Sequence, residues 1–228
     1  MSTQQKELIL YTYFRSSCSA RLRIALRIKG LPYKSIYVNL LKGDQFTSDY
    51  AARNPSCSVP SLEDPNNEHP GECRYITQSV AALEYLEEKY SDRPALLPPA
   101  SDTYGRAMVR SLVNIIACDT QPITNLRILN RIESLDADRG DWAKGFLLEG
   151  LSAYEKLASR TAGRFSVGDQ FSMADVCLVP AVWGALRFGV DLDALPIVKR
   201  VYEEASQLDA VIEAHWKNQE DTPINLRE

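Results

Sequence analysis

The spacing of apolar and polar positions changes repeatedly in the first part of the chain, as is typical of a mixed α/β domain. ELILYTY (7–13) is a short apolar run rich in β-forming residues and predicts a strand. An apolar helical stripe follows over Ser17–Lys29, with Gly30 as a C-terminal cap and Pro32 as a stop. YKSIYV (33–38) alternates and predicts a second strand. A strand–helix–strand start indicates a parallel pair.

Shorter elements complete this first region. Asp44–Ala52 predicts a weak helix, and Val59–Leu62 and Glu72–Tyr75 predict two short strands around a polar loop. Thr77–Lys89 predicts a strong helix, because its apolar residues recur on one face. The late hairpin should add antiparallel strands to the parallel pair.

The second region reads as almost entirely helical. SDRPALLPPA (91–100) carries three prolines and is typical of a linker. Beyond it, the apolar periodicity predicts four helices, over Tyr104–Cys118, Trp142–Ser159, Met173–Phe188 and Pro196–Ala205. SMAD (172–175) is a variant capping box that starts the third of these and has a structural role. We therefore expect an α/β domain over 1–90, a linker over 91–101 and an all-α domain over 102–228.

Charge and cysteine usage narrow the function. The net charge of −4 and the pI of about 5.4 disfavour nucleic acid as a partner. No apolar stretch is long enough to span a membrane, and MSTQQKELIL (1–10) does not resemble a secretory signal. The five cysteines are odd in number and lack C-x-x-C spacing, and there are only two histidines. These features disfavour a disulfide scaffold and a metal site, and indicate a reducing, cytoplasmic compartment.

Ser16, Ser17 and Cys18 stand directly before the first predicted helix. A serine here can be a simple N-cap, which accepts a hydrogen bond from a backbone amide. The same geometry can stabilise an anion, because free amides and hydroxyl groups point outward from a helix N-terminus. The anion could be the Cys18 thiolate or the thiolate of a bound cofactor, and the motif alone does not choose between them.

Two further features have both a structural and a functional interpretation. Val59 precedes Pro60, so its backbone is extended and could pair with a peptide-like ligand, or the proline could simply mark an edge strand. Gln78 and Ser79 begin a helix, where they could form a cap or hold a carboxylate. A cysteine-containing peptide with a free carboxylate would fit all three features together.

Several segments resemble one known family. YFRSSCSARLRIALRIKG (13–30), NPSCSVPSLED (54–64) and ITQSVAALEYLEEKY (76–90) are similar to the glutathione-binding half of the cytosolic glutathione transferases. The S-S-C stretch resembles the signature of the zeta class, the maleylacetoacetate isomerases. DTQPITNLRIL (119–129), VGDQFSMADVCLVPAVWGALRFGVDL (167–192) and DTPINLRE (221–228) resemble the second half of that class. The resemblance covers nearly the whole chain.

The resemblance implies a thioredoxin-like domain followed by an all-helical domain, with glutathione as the cofactor. Ser16 would stabilise the glutathione thiolate, assisted by Ser17 and Cys18. The remaining residues implied to bind glutathione are Gln45, Val59, Pro60, Gln78, Ser79, Gln121 and Asn125, and the resemblance implies a cis peptide bond before Pro60. A small dicarboxylate substrate would be held by Arg187, with Arg21 and Arg15 as further cations. Arg187 could also be a snorkelling residue at a helix end.

The implied activity is glutathione-dependent cis–trans isomerisation of maleylacetoacetate to fumarylacetoacetate in tyrosine and phenylalanine breakdown. A broader transferase that acts on small electrophiles such as α-halo acids is the second hypothesis, and the class commonly does both. The chain could also be a binding module without turnover, or a redox protein that forms mixed disulfides through Cys18. The intact serine pair weakens both of these hypotheses. The family is usually dimeric, so the resemblance also implies a homodimer.

Overall fold

A computed structural model describes residues 6–66 and 75–227. The chain forms two compact units, one made of 1–94 together with 212–228 and the other of 95–211. The C-terminal segment therefore packs with the first unit, although it follows the second along the chain. The domain boundaries expected from the sequence stay a prediction.

The first unit contains a mixed four-stranded sheet in the order β2-β1-β3-β4. Its strands are β1 (Leu8–Thr12), β2 (Tyr33–Tyr37), β3 (Ser61–Glu63) and β4 (Tyr75–Thr77). β1 and β2 are parallel, whereas β3 is antiparallel to both β1 and β4. The predicted parallel pair and antiparallel hairpin are thus confirmed.

Three helices accompany this sheet: α1 (Ser17–Ile28), α2 (Ser48–Arg53) and α3 (Ser79–Lys89). Gly30 follows α1 with a positive φ of 62°, and its amide donates to the carbonyl of Arg27, which ends the helix as predicted. The core of the unit is built from side chains with no exposed surface, among them Leu10, Leu22, Ile24, Leu26, Leu62 and Leu83. α1 is buried from Ser19 to Leu26 and packs against α3, which fixes the position of its N-terminus.

The second unit is helical, as predicted. Its helices are α4 (Thr103–Asn114), α5 (Leu126–Glu133), α6 (Arg139–Ala158), α7 (Met173–Arg187), α8 (Pro196–Ala205) and α9 (Asp209–Ala214), of which the last runs into the first unit. α4 continues into a π-helical turn over Ile115–Thr120. α7 forms the centre of the core, with Val176, Leu178, Val179 and Val182 completely buried.

Some elements differ from the prediction. β3 begins at Ser61 instead of Val59, because Pro60 has no amide to donate to a sheet. The weak helix expected over Asp44–Ala52 is a 3₁₀ turn, Asp44–Phe46, followed by α2. α5 and α9 were not predicted. Of the strand expected over Glu72–Tyr75, only Tyr75 is among the described residues, where it begins β4.

The described part of the chain contains neither a candidate membrane span nor a disulfide bond. None of the described helices is both long and apolar enough to cross a membrane. The described cysteines, Cys18, Cys57, Cys118 and Cys177, are free thiols, and Cys73 lies outside the described residues.

Candidate active site

Ser16 is the N-cap of α1. Its side-chain Oγ accepts a hydrogen bond from the amide of Ser19 at 3.1 Å, which is the capping role expected of a serine there. Ser17 and Cys18 form the first turn and are partly exposed. The first turn contains no acidic residue, so its amides and the positive end of the helix dipole have no carboxylate of their own. The start of α1 can therefore stabilise an anion.

Val59 provides a peptide-like edge. The Val59–Pro60 peptide bond is cis, in agreement with the expectation from the family. Val59 is only 8% exposed, and among the described residues neither its amide nor its carbonyl has a hydrogen-bond partner. Buried backbone groups are normally paired, so an extended ligand backbone is a fitting partner for this residue.

The start of α3 has a different construction. Gln78 is exposed and has an unusual positive φ of 70°, and its side chain makes no capping hydrogen bond. Ser79 is buried, and its Oγ accepts a hydrogen bond from Nη1 of Arg21 at 2.9 Å. Arg21 is itself only 2% exposed. Its positive charge lies under Ser79, which favours a carboxylate at this helix start.

The register of the sheet brings these three segments to the same end of the sheet. Tyr11 pairs with Ser61, and Ser61 pairs with Thr77, so the end of β1, the start of β3 and the end of β4 lie side by side. At this end of the sheet, the chain runs from β1 to Ser16, enters β3 from Val59, and leaves β4 into Gln78. The topology therefore places the three predicted elements of the site together.

Two further predicted residues of the first unit have unsatisfied polar atoms. Gln45 lies in the 3₁₀ turn; its Nε2 donates to the carbonyl of Leu40 at 3.5 Å, while its buried Oε1 has no partner among the described residues. The guanidinium of Arg15 lies 5.1 Å from the ring centroid of Phe14 and 5.8 Å from that of Trp216. Its buried Nε has no partner within the described part of the chain. A buried polar atom without a partner is unusual in a folded protein, so both side chains are candidates for a ligand contact.

The remaining predicted residues belong to the second unit. Gln121 follows the π-helical turn and is half-buried. Asn125 is the N-cap of α5: its Oδ1 accepts from the amide of Ile128 at 3.1 Å, and its Nδ2 donates to the carbonyl of Pro122 at 2.7 Å. Arg187 ends α7 with an exposed side chain, 4.7 Å from the ring centroid of Phe188. The ligand-binding roles of these residues stay predictions.

Sequence reasoning missed two charged residues, Arg23 and Asp221, that form hydrogen bonds with the turn before α1. Arg23 is completely buried, which lowers the pKa of its guanidinium to about 10, and it therefore stays charged at neutral pH. Burial raises the pKa of the Asp221 carboxyl, against the lowering effect of the Phe14 amide and of Arg23. A signal for Arg23 was the second arginine in the apolar run RLRIAL (21–26), and for Asp221 its place at the head of DTPINLRE.

Comparison with known proteins identifies the family. Residues 15–89 match the family "Glutathione S-transferase, N-terminal domain" and residues 136–209 match "Glutathione S-transferase, C-terminal domain". The chain is 53% identical to the maleylacetoacetate isomerase of Emericella nidulans over 219 residues, covering 96% of this chain and 95% of that protein. The chain belongs to the zeta class of the glutathione transferases, the maleylacetoacetate isomerase family.

Solved structures of this family agree with the fold. The maleylacetoacetate isomerase of Anaeromyxobacter dehalogenans, with glutathione bound in its active site, superposes with a TM-score of 0.85 at 41% identity, covering 96% of this chain and 100% of that one. A second structure of the same enzyme has dicarboxyethyl glutathione and citrate in the active site, with the same TM-score, identity and coverage. The zeta-class fold inferred from the sequence, a thioredoxin-like domain followed by a helical one, is confirmed.

Proposed function

We propose that this protein is a glutathione-dependent isomerase that converts maleylacetoacetate to fumarylacetoacetate in tyrosine and phenylalanine breakdown. The observation that carries this proposal is the start of α1, where two serines and a cysteine surround free helix amides without any carboxylate nearby in sequence. Membership of the maleylacetoacetate isomerase family supports the same activity.

The residues present fit glutathione. Val59 offers an unpaired amide and carbonyl to the cysteinyl backbone, and Gln78 and Ser79 offer a helix start above a buried guanidinium to the γ-glutamyl carboxylate. Gln45, with its unpartnered Oε1, suits the glycyl end. Gln121 and Asn125 are the proposed contacts from the helical unit. Glutathione, when bound, supplies a soft thiolate that adds to the conjugated alkene and leaves after the resulting single bond has rotated.

The chain's own contribution is electrostatic. Ser16 donates a hydrogen bond to the thiolate while its Oγ lone pair continues to cap α1, and Ser17 and Cys18 supply further donors. The helix amides lower the pKa of the bound thiol, so that a larger fraction is ionised at neutral pH. The donors at this end need no rearrangement as negative charge develops, and such preorganisation is a main source of rate enhancement.

The substrate carries carboxylates, so the proposed substrate contacts are cationic. Arg187 is exposed on α7 and can form two parallel hydrogen bonds with a carboxylate. Arg15, with its buried unpartnered Nε, is the second proposed cation. Arg21, expected as a further substrate cation, lies buried under Ser79, and its proposed role is therefore to support the glutathione carboxylate. The ligands bound to the Anaeromyxobacter enzyme are consistent with a dicarboxylate substrate.

A transferase side activity would use the same thiolate. Once the thiol is ionised, displacement of halide from an α-halo acid needs no additional protein group. We also infer a homodimer, because the family is usually dimeric, and a cytoplasmic location, because the five cysteines lack C-x-x-C spacing. Light scattering should then give about twice the 25.6 kDa chain mass. A monomer at micromolar concentration would contradict the dimer.

The decisive experiment measures loss of maleylacetoacetate with and without catalytic glutathione. Isomerisation should require glutathione without consuming it, and S16A should lower turnover about 100-fold while costing only about 1 kcal/mol of stability. D138A is the matched control: Asp138 caps α6 by accepting from the amides of Gly140 and Asp141. It should lose comparable stability and keep full turnover. Consumption of glutathione on α-halo acids without isomerisation would instead favour the transferase.

A further inference from the structure

The turn that presents Ser16 begins with two buried residues and has little local support. It joins the end of β1 to α1, and its one internal hydrogen bond in the described residues runs from the Ser16 amide to the Tyr13 carbonyl at 3.0 Å. Tyr13 and Phe14 are both buried. Buried backbone groups must find partners, so the remaining polar groups of this turn depend on more distant residues.

Two charged side chains supply those partners. Oδ2 of Asp221 accepts a hydrogen bond from the Phe14 amide at 2.8 Å. The guanidinium of Arg23 donates to the carbonyl of Tyr13 at 3.3 Å and to that of Phe14 at 3.1 Å. Asp221 therefore binds the backbone amide of the turn, and Arg23 binds its two backbone carbonyl groups. Hydrogen bonds to charged groups are stronger than those between neutral groups.

The same guanidinium ties the turn to the C-terminal segment. Nε of Arg23 donates to the carbonyl of Ala214 at 3.1 Å, and Nη1 donates to Oγ1 of Thr12 at 3.0 Å. Trp216 and Leu226 pack against the apolar cluster that contains Tyr13 and Phe14. The C-terminal segment is therefore built into the support of the turn, although Asp221 is 207 positions from Phe14 in sequence.

We propose that Asp221 is a positioning residue for the thiolate site, acting through the Phe14 amide to set the position of Ser16, with Arg23 as its counterpart on the carbonyl side. This role rests on the proposed function, because it assumes that Ser16 faces the glutathione sulfur. A neutral acceptor could satisfy the Phe14 amide with a smaller desolvation cost. The carboxylate also favours the charged form of completely buried Arg23, so D221N should lose some stability while it keeps the hydrogen bond that positions Ser16.

The test compares D221A, D221N and E220A. Glu220 is the matched control, because it is the neighbouring carboxylate on the same segment and contacts Tyr37 on β2, not the turn. The primary measurement is the pKa of the thiol in bound glutathione, followed through the ultraviolet absorbance of the thiolate. D221A should raise that pKa by about one unit, which is a roughly tenfold smaller ionisation constant of the bound thiol. E220A should leave it unchanged.

The conservative variant and a ligand-free measurement complete the design. D221N keeps an oxygen that can accept from the Phe14 amide, so its thiol pKa should stay within about 0.3 units of wild type. In hydrogen exchange without ligand, the peptide containing Phe14 and Ser16 should exchange faster in D221A than in E220A. Thermal unfolding confirms that each variant is folded. A merely structural role would lower the unfolding temperature of D221A and leave the bound thiol pKa unchanged.

The outcomes separate this proposal from the proposed function. An unchanged thiol pKa in D221A, or equal losses in D221A and D221N, would overturn the positioning role. Absence of maleylacetoacetate turnover in a wild-type protein with an ionised bound thiol would overturn the proposed isomerase alone, since the thiol measurement needs no second substrate.

Discussion

Two of the described helices, α1 and α7, have a serine as the N-cap, yet their first turns differ in charge. Ser172 precedes α7, and the Asp175 carboxylate, which has no exposed surface, accepts from the Ser172 amide at 2.8 Å and from its hydroxyl at 3.0 Å. Ser16 precedes α1, whose first turn contains no acid and is partly exposed. A helix start that contains its own carboxylate is satisfied internally, whereas one without it can attract an external anion.

The buried Asp175 carboxylate of α7 should contribute more to stability than an exposed helix cap does. Besides Ser172, Asp175 accepts from the amide of Ser166 at 2.9 Å, and burial raises its pKa against the opposing effect of these donors. D175A leaves buried amides without acceptors and should lower the free energy of unfolding by about 3 kcal/mol or more. Denaturant titration measures the change. D138A, an exposed cap, should lose only about 1 kcal/mol. Equal losses in D175A and D138A would contradict a larger stabilising contribution from the buried carboxylate of α7 than from an exposed cap.

Giving α1 a carboxylate of its own should abolish its anion site without loss of the cap. Asp and Ser are comparable N-caps, so S16D should change the free energy of unfolding by only about 0.5 kcal/mol. Its charge would occupy the free amides and repel a thiolate, and glutathione-dependent turnover should fall about 100-fold or more. Turnover and denaturant titration are measured on the same preparation. S16D turnover within about threefold of wild type would contradict an anion site at this helix start.

What the sequence predicted well was local. The apolar stripe of α1, Gly30 after it, and the parallel pairing of β1 with β2 follow from residue spacing, and each is present in the structure. The capping box at Ser172 was also predicted, because its two members are only three residues apart. The family resemblance added the cis peptide bond before Pro60.

What sequence reasoning missed depends on contacts between distant residues. Periodicity suggested no partner for Arg23, because an arginine in an amphipathic helix is usually exposed. Its burial depends on carbonyl groups of the turn and of Ala214, which only the folded chain brings together. The contact between Arg21 and Ser79 spans 58 positions and was missed for the same reason. The thiolate and substrate roles of the candidate residues stay predictions.

The smallest expected effect concerns the acid sensitivity of the segment that supports α1. His215 is half-buried there, and its Nδ1 accepts a hydrogen bond from the amide of Lys217 at 3.2 Å. Burial, with smaller contributions from the charges of Lys217 and Arg23, lowers the pKa of His215 from 6.5 to about 4. Between these two values the unfolded chain binds a proton that the folded protein does not, so folded stability falls as the pH falls from 6.5 towards 4.

The variant H215N tests whether His215 makes the folded protein less stable as the pH falls. Asparagine can cap the same turn with its side-chain oxygen and does not titrate in this range. Relative to H215N, the wild type should lose about 1 kcal/mol more of its free energy of unfolding over that range, an amount reduced by the partial exposure of the imidazole. Denaturant titrations at several pH values measure the difference. Parallel pH profiles would show that His215 is equally protonated in both states, and the support of α1 would then have no acid sensitivity from this residue.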